Sequence, residues 1–339
     1  MIDIKLLEQL CLCNGISGDE GNVRNLIINE IKDCADDIKT DNLGNLIVFK
    51  KGKKSAKSKL MVSAHMDEVG LMVTDITSDG YLKFDEVGGI DRRVLPGKRV
   101  CVGRNGFNGV IGVKPIHLTN GDEKTAVPKM SDMYIDIGAE SREDALKYVN
   151  YGDGINFEGD FKINGKTVVT KALDDRFGCY VLINLIKSEP EYDMYFTFVV
   201  QEEVGLRGAR PAAFTVNPDF ALVIESTTAA DVAEVDAAHQ VCNLSKGATV
   251  TVMDRATVYD KEMISAAFEL AEKNNIAVQY KRAVAGGNDS GAIHQSRGGV
   301  RTLAVSLPSR YIHAPSTAAN LDDCESVLKL AEVLSDYIA

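Results

Sequence analysis

"KLMVSAHMDEVG", Lys59–Gly70, is an apolar run that ends in an imidazole and a carboxylate. A nearly continuous apolar run is what a strand covered by helices on both faces requires. Such a strand normally leaves its sheet through a turn residue. Here His65 and Asp67 stand at the exit, two positions apart and therefore on the same face. In open α/β sheets, sites form beyond the carboxyl ends of the strands. The stretch points to an α/β fold and marks the edge where chemistry is to be sought.

Upstream, "SGDEGNVRNLIINEIKD" has apolar residues at helical spacing, with Ser17 as the expected N-cap and Glu20 as its capping-box partner. "NLGNLIVFKKG" reads as a second strand. Downstream the texture changes. From Glu68 to Lys166, short β-rich pieces alternate with glycine turns ("GYLKFDEVGGI", "GKRVCVG", "GDGINFEGDFKINGK"), and one short helix, "SREDALKYV", interrupts them. After "VVTKALDDR" the α/β texture returns, with a helix at "FGCYVLINLIKS", buried strands at "DMYFTFVVQEEVG", "FALVIES" and "RTLAVSL", and amphipathic helices at "DKEMISAAFELAEKNN" and "DDCESVLKLAEVLSDYI". A chain of 339 residues exceeds what one core usually carries. The expected organisation is an α/β domain over 1–67 and 167–339, with a β-rich module inserted at 68–166.

The other strand ends repeat the pattern. Asp174 and Asp175 follow "VVTKAL", Glu202 and Glu203 end "YFTFVVQ", Glu225 ends "FALVI", and His313 follows "LAVSLPSRYI". Singly, such residues are ordinarily structural or solvated. Jointly, they would crowd negative charge into one cleft, which a dication relieves. Histidine with carboxylates and no cysteine favours a hydrolytic Zn, Mn or Co site. A two-metal site needs a bridging carboxylate and terminal ligands. The set supplies Asp174 as bridge, His65 and Glu225 for one ion, and Glu203 and His313 for the other. Glu202 is left as a general base, and Asp67 is expected to accept the second ring N–H of His65, a common support for a ligating imidazole.

Composition narrows the partners. The net charge of −11 argues against a phosphate backbone. The one basic run, Lys50–Lys59, lacks aromatics and reads as a solvated hairpin tip between two strands, so neither nucleic acid nor membrane is an expected partner. The seven cysteines include no CxxC pair, which suggests free thiols in a reducing compartment. With no basic leader and no membrane-length apolar run at hand, a cytoplasmic protein is expected. His117, His239 and His294 read as structural, Asp231 as a fallback ligand, and Arg310 as either a substrate contact or a surface ion pair.

"SAHMDEVG", "KALDDR", "QEEVGLRGA", "GGNDSGAIH" and "SRYIHAP", in this order, resemble the dinuclear-metal aminopeptidases of the glutamyl and deblocking aminopeptidase family, from "GISGDEG" to the last helix. The resemblance implies a zinc-exopeptidase-like fold, with a central mixed sheet flanked by helices and an inserted β-barrel-like domain for dimerisation and as a lid. It implies two divalent ions per subunit (Zn, with Co or Mn as alternatives) on His65, Asp174, Glu203, Glu225 and His313. It also implies Asp67 as orienting residue, a cis Asp174–Asp175 peptide, and Glu202 as general base on a metal-activated water. Peptides would be the substrates, and dimers would assemble into a tetrahedral dodecamer. One position departs from the family pattern: Glu225 stands where many members have Asp. The competing readings are another dinuclear-metal hydrolase (a deacylase, carboxypeptidase or glycan-cleaving enzyme) and a non-catalytic shell protein.

Overall fold

A computed structural model describes residues 1–339 as an eleven-stranded mixed sheet flanked by helices, carrying a closed six-stranded barrel. Four strands lie side by side and parallel at the sheet centre: Met194–Val199, Leu60–His65, Phe220–Thr228 and Arg301–Arg310. Parallel strands share one carboxyl edge. The register pairs Val199 with His65 and Val223 with Ser63, so Glu225, two residues on, is level with His65. Thr167–Thr170 reaches the same edge, because it runs antiparallel to Thr317–Asn320, which is itself antiparallel to Arg301–Arg310. Five separate segments are thereby brought to one rim.

Both faces of the central strands are covered. Leu60–His65 is buried along its whole length. On one face pack the helices Ile4–Leu12, Leu173–Lys187 and Leu321–Ile338; the last buries Cys324, Val327, Leu330, Ala331 and Leu334 at helical spacing. Each fully buried aliphatic side chain of this kind contributes about 1.5–3 kcal/mol. Helix starts are fixed by side-chain caps: Asn320 Oδ1 accepts from Asp322 N–H, and Asp260 accepts from Glu262 and Met263.

The barrel runs Gly70–Ile76, Leu82–Val87, Tyr134–Asp136, Phe107–Gly112, Arg99–Val102 and Gly154–Phe157 in spatial order, all antiparallel. It has a core of its own, built on residues such as Leu71, Phe84, Val100 and Ile155, separate from the core under the sheet. The strand Lys162–Asn164, inside the segment read as the insert, pairs with Thr167–Thr170 in the large sheet.

Two local expectations are corrected. Leu46–Lys50 and Leu60–His65 do not form a hairpin; Met194–Val199 lies between them, antiparallel to the first and parallel to the second. The basic run is therefore a connection over a strand that arrives much later in the chain. The second helix begins at Gly21, not at a Ser17 cap. Ser17 instead donates to Asp67 Oδ2 at 2.6 Å, and Glu20 Oε1 accepts from Gly18 and Gln201. Tertiary partners across the sheet rim outcompete the local capping box.

Candidate active site

The rim gathers His65, Asp67, Asp174, Glu202, Glu203, Glu225 and His313. Asp174 turns one oxygen to each imidazole: Oδ1 lies 3.4 Å from His65 Nε2, and Oδ2 lies 3.4 Å from His313 Nε2. Glu225 Oε1 stands 3.3 Å from His65 Nε2, and Glu203 Oε2 stands 3.2 Å from His313 Nε2. Two donor triads result, His65–Asp174–Glu225 and Asp174–Glu203–His313, sharing the one carboxylate. Glu202 adjoins them, grouped with His65 and Glu203. The Asp174–Asp175 peptide is cis, and Asp175 Oδ2 accepts the backbone N–H of His65.

The donor spacing suits small divalent cations. Donors held at roughly 2.0–2.1 Å from a tetrahedral ion lie about 3.3–3.4 Å apart, close to the separations above. Two buried oxygens in the cluster, Asp174 Oδ1 and Glu225 Oε2, have no hydrogen-bond partner. Buried polar atoms without partners are costly, and a cation would satisfy both. The residues present therefore fit a metal pair.

Proton affinities carry the same tension. Burial pushes the Glu203 carboxyl up to about 8, helped by the charge of Asp174, and burial also lifts Glu225 to about 7. Burial raises Glu202 well above the carboxylate range, with Glu225, Asp289 and Glu203 adding to it. For His313, burial disfavours the imidazolium, but the hydrogen bond to Asp174 and the charge of Glu203 outweigh it and lift the group to about 9. His65 is raised likewise against burial by Glu225, Asp174 and Asp67. Bound cations would relieve the same crowding of carboxylates.

Asp67 behaves differently from the sequence expectation. The His65 Nδ1 faces the main-chain carbonyl of Asp67 at 3.0 Å, while the carboxylate oxygen lies at 3.6 Å, beyond hydrogen-bond reach. The fully buried carboxylate instead accepts from Glu202 N–H at 3.0 Å, Glu203 N–H at 3.1 Å and the Ser17 hydroxyl. It anchors the turn that presents the two glutamates.

Asp231 is not in the cluster. It forms a two-pronged ion pair with Arg310 at 2.7 and 2.8 Å, which also accounts for that arginine. His117 and His239 sit in short 3₁₀ turns, and His294 bonds its Nδ1 to Ser290 O.

Sequence reading missed three supporting features. The Glu68 carboxylate lies 2.6 Å from Lys171 Nζ and 3.2 Å from Arg176 Nη2, all buried. Arg176 also donates to the carbonyls of Leu10, Cys13, Gly15 and Met66. This ion triad ties the N-terminal helix, the exit of the His65 strand and the Asp174 segment together. The second feature is the barrel turn at Gly88–Gly89, which passes over the site: a Cβ at Gly88 would stand 3.2 Å from Glu203 Cβ, and one at Gly89 would stand 3.8 Å from His313 Nδ1. The double glycine in "DEVGGI" was the available signal. The third is Lys281, which lines the cleft of about 150 Å³ together with His65, Asp174, Glu202, Glu203, Glu225 and His313.

Fold and site together define a peptidase-type hydrolase: an α/β exopeptidase-like sheet with a carboxylate–imidazole cluster at its carboxyl edge, overhung by a barrel. The chain belongs to the M42 glutamyl aminopeptidase family, whose model matches residues 44–330. A protein of Acetivibrio thermocellus, provisionally named an aminopeptidase, is 44% identical over 96% of this chain and 96% of its own. The lysyl aminopeptidase of Pyrococcus furiosus is 33% identical over 100% and 98%. The solved structure of the TET1 peptidase of Pyrococcus horikoshii, which can assemble into a tetrahedron or a large octahedral shell, superposes with a TM-score of 0.86 at 39% identity, covering 98% of each chain. No helix is long and apolar enough to cross a membrane.

Proposed function

We propose that the chain is a two-metal aminopeptidase that removes N-terminal residues from peptides, with Glu202 as general base. The carrying observation is the pair of donor triads that share Asp174, one oxygen to each side. His65, Asp174 and Glu225 would hold one divalent ion, and Asp174, Glu203 and His313 the other. The extra methylene of Glu225 is accommodated, since its Oε1 is as near His65 as Asp174 is. When bound, such ions supply Lewis acidity for the scissile carbonyl and lower the pKa of a water.

The chain's own groups do the rest. Glu202 lies in the same rim as the donors and carries a proton-hungry carboxylate, raised by burial. A base of that kind takes the proton of the attacking water and passes it to the leaving amine nitrogen. Asp67 and Ser17 fix the backbone from which Glu202 and Glu203 project. The barrel turn at Gly88–Gly89 roofs the site and restricts access, which suits a lid role for the inserted module. The acidic rim attracts a free α-ammonium, which favours cleavage from the amino end. Assembly of dimers into a tetrahedral particle is proposed from the P. horikoshii relative.

Glu202→Gln is the test. It removes the base and leaves every donor of the two triads in place. The expected outcome is two ions per chain by elemental analysis and a loss of at least about 10²-fold in kcat on aminoacyl anilides. Retained turnover refutes the base assignment. Loss of both ions refutes the separation of base from ligands.

A further inference from the structure

The segment Gly15–Glu20 lies across the seam between the sheet domain and the barrel and is bonded to both. On the barrel side, Gly15 N–H donates to the buried Asn156 Oδ1 at 3.1 Å, and Glu68 N–H donates to Gly15 O at 3.0 Å. Ile16 is fully buried, yet it belongs to neither the core under the sheet nor the core of the barrel. Its side chain rests on the bare backbones of two paired barrel strands. A Cβ at Gly70 would stand 2.2 Å from Ile16 Cγ2, and one at Gly154 would stand 3.0 Å from Ile16 Cδ1. At such packing, a displacement of either strand is passed to Ile16.

On the catalytic side, the same segment fixes the turn that carries the two glutamates. Ser17 donates to Asp67 Oδ2 at 2.6 Å, and that carboxylate accepts Glu202 N–H and Glu203 N–H. Glu20 Oε1 accepts Gln201 N–H at 3.1 Å. Consecutive N–H groups of the turn, from Gln201 to Glu203, thus end on this segment directly or through Asp67. The segment is itself closed: Asp19 N–H donates to Ile16 O at 2.9 Å, and Gly18 N–H donates to Glu20 Oε1 at 2.7 Å.

We infer that Ile16 is a positioning residue: seated on the barrel, it sets, through Ser17 and Asp67, the turn that presents Glu202. The inference rests on the aminopeptidase reading above, in which Glu202 is the base. The barrel then does more than roof the site. Its seating reaches the base by a path separate from the Gly88–Gly89 turn.

The test is Gly154→Ala, whose added methyl presses on Ile16 Cδ1, with Ile16→Val, which lacks Cδ1, as the compensating change. Gly154 is not in the left-handed region, so its backbone accepts alanine. Two quantities are read at saturating metal: amide hydrogen exchange over the peptide holding Gln201–Glu203, and kcat and KM on a panel of aminoacyl p-nitroanilides. Gly154→Ala should speed exchange there about tenfold and lower kcat about tenfold, with KM nearly constant. Adding Ile16→Val should return both to within about twofold of wild type. With Ser17→Ala already in place, Gly154→Ala should add less than about twofold, because the link is cut.

Unchanged exchange at Gln201–Glu203 in Gly154→Ala overturns the inference. So does a rise spread evenly over the sheet domain, which is loss of global stability. A local rise with unchanged kcat overturns the positioning role. Full additivity with Ser17→Ala sends the effect through Gly88 and overturns the path. If Gly154→Ala does not fold, Ile16→Ala loosens the same seam, and its failure to speed exchange at Gln201–Glu203 overturns the inference. Exchange that rises locally and is rescued, while no protein including the wild type cleaves the panel, upholds the link and refutes the peptidase reading.

Discussion

Asp67→Asn separates two roles that the same residue could play at the rim. The carboxylate accepts three hydrogen bonds, from Glu202 N–H, Glu203 N–H and Ser17, while the His65 ring is held by the Asp67 main-chain carbonyl. An asparagine keeps one oxygen. Turned toward Glu202, it points its NH₂ at Glu203 N–H; turned the other way, it points it at Glu202 N–H. Either way, one backbone donor faces another donor and loses its acceptor. Charge-assisted bonds contribute about 1.5–3 kcal/mol each, and a neutral bond about 1 kcal/mol. Losing one of the two backbone bonds and weakening the other thus costs about 2–5 kcal/mol. The cost falls on the turn that carries Glu202 and Glu203, and not on His65. Two effects should follow: kcat falls by about 10²-fold, as misplacement of a reacting group by an ångström does, and metal affinity falls at the Glu203–His313 site. The assay is metal titration in single-site backgrounds. His65→Ala leaves the Glu203–His313 site, and His313→Ala leaves the His65–Glu225 site. Adding Asp67→Asn should weaken the first background by more than the second. Preferential loss at the His65–Glu225 site would refute the reasoning and restore the carboxylate as the support of the His65 ring.

Glu68→Gln should lower unfolding free energy by about 3–5 kcal/mol in urea titrations, because Lys171 and Arg176 are left as buried cations without a carboxylate. Gly88→Ala should cost about 1–2 kcal/mol, since φ is +83°, and should also lower kcat by pressing on Glu203, 3.2 Å from the added Cβ; unchanged kcat would dissociate the barrel turn from the site. The apo protein should lose stability as pH rises. Glu225 and Glu203, lifted to about 7 and about 8, bind protons more tightly folded than unfolded, as does His313 at about 9. Their stabilisation is present at low pH and is lost between roughly pH 5 and pH 9. Added divalent ions displace those protons, so the metal-induced rise in Tm should grow across that window. A metal-induced rise in Tm that is flat in pH would contradict the cluster's proton content.

The strand ends were legible because parallel sheets require apolar runs, and a polar residue at the end of one stands out. His65, Glu225, the Glu202–Glu203 pair and the Asp174 segment were each visible in this way, and the sheet brings them to one rim. The β-rich character of the inserted segment was legible from its glycine-punctuated texture, whereas its closure into a barrel was implied only by the family resemblance. What escaped depends on pairing between residues far apart in the chain. Ser17 and Asp67 are 50 positions apart, and Glu68 and Lys171 are 103 apart. No local pattern announces such partners, so Ser17 reads as a capping box and Glu68 only as the start of the inserted module. The hairpin misreading at Lys50–Lys59 has the same origin: the strand that separates its flanks comes more than a hundred residues later. Lys281 was silent because a lysine after a strand is ordinarily solvated, and its isolation among carboxylates exists only in three dimensions.

Anomalous diffraction from crystals of the metal-loaded protein, recorded at the metal absorption edge, tests most directly whether Asp174 bridges a metal pair. The expected map has two peaks, one on either side of the Asp174 carboxylate, the first against His65 and Glu225 and the second against Glu203 and His313. A single peak, or a peak that engages Asp231 or leaves Asp174 without a contact to both ions, would contradict it.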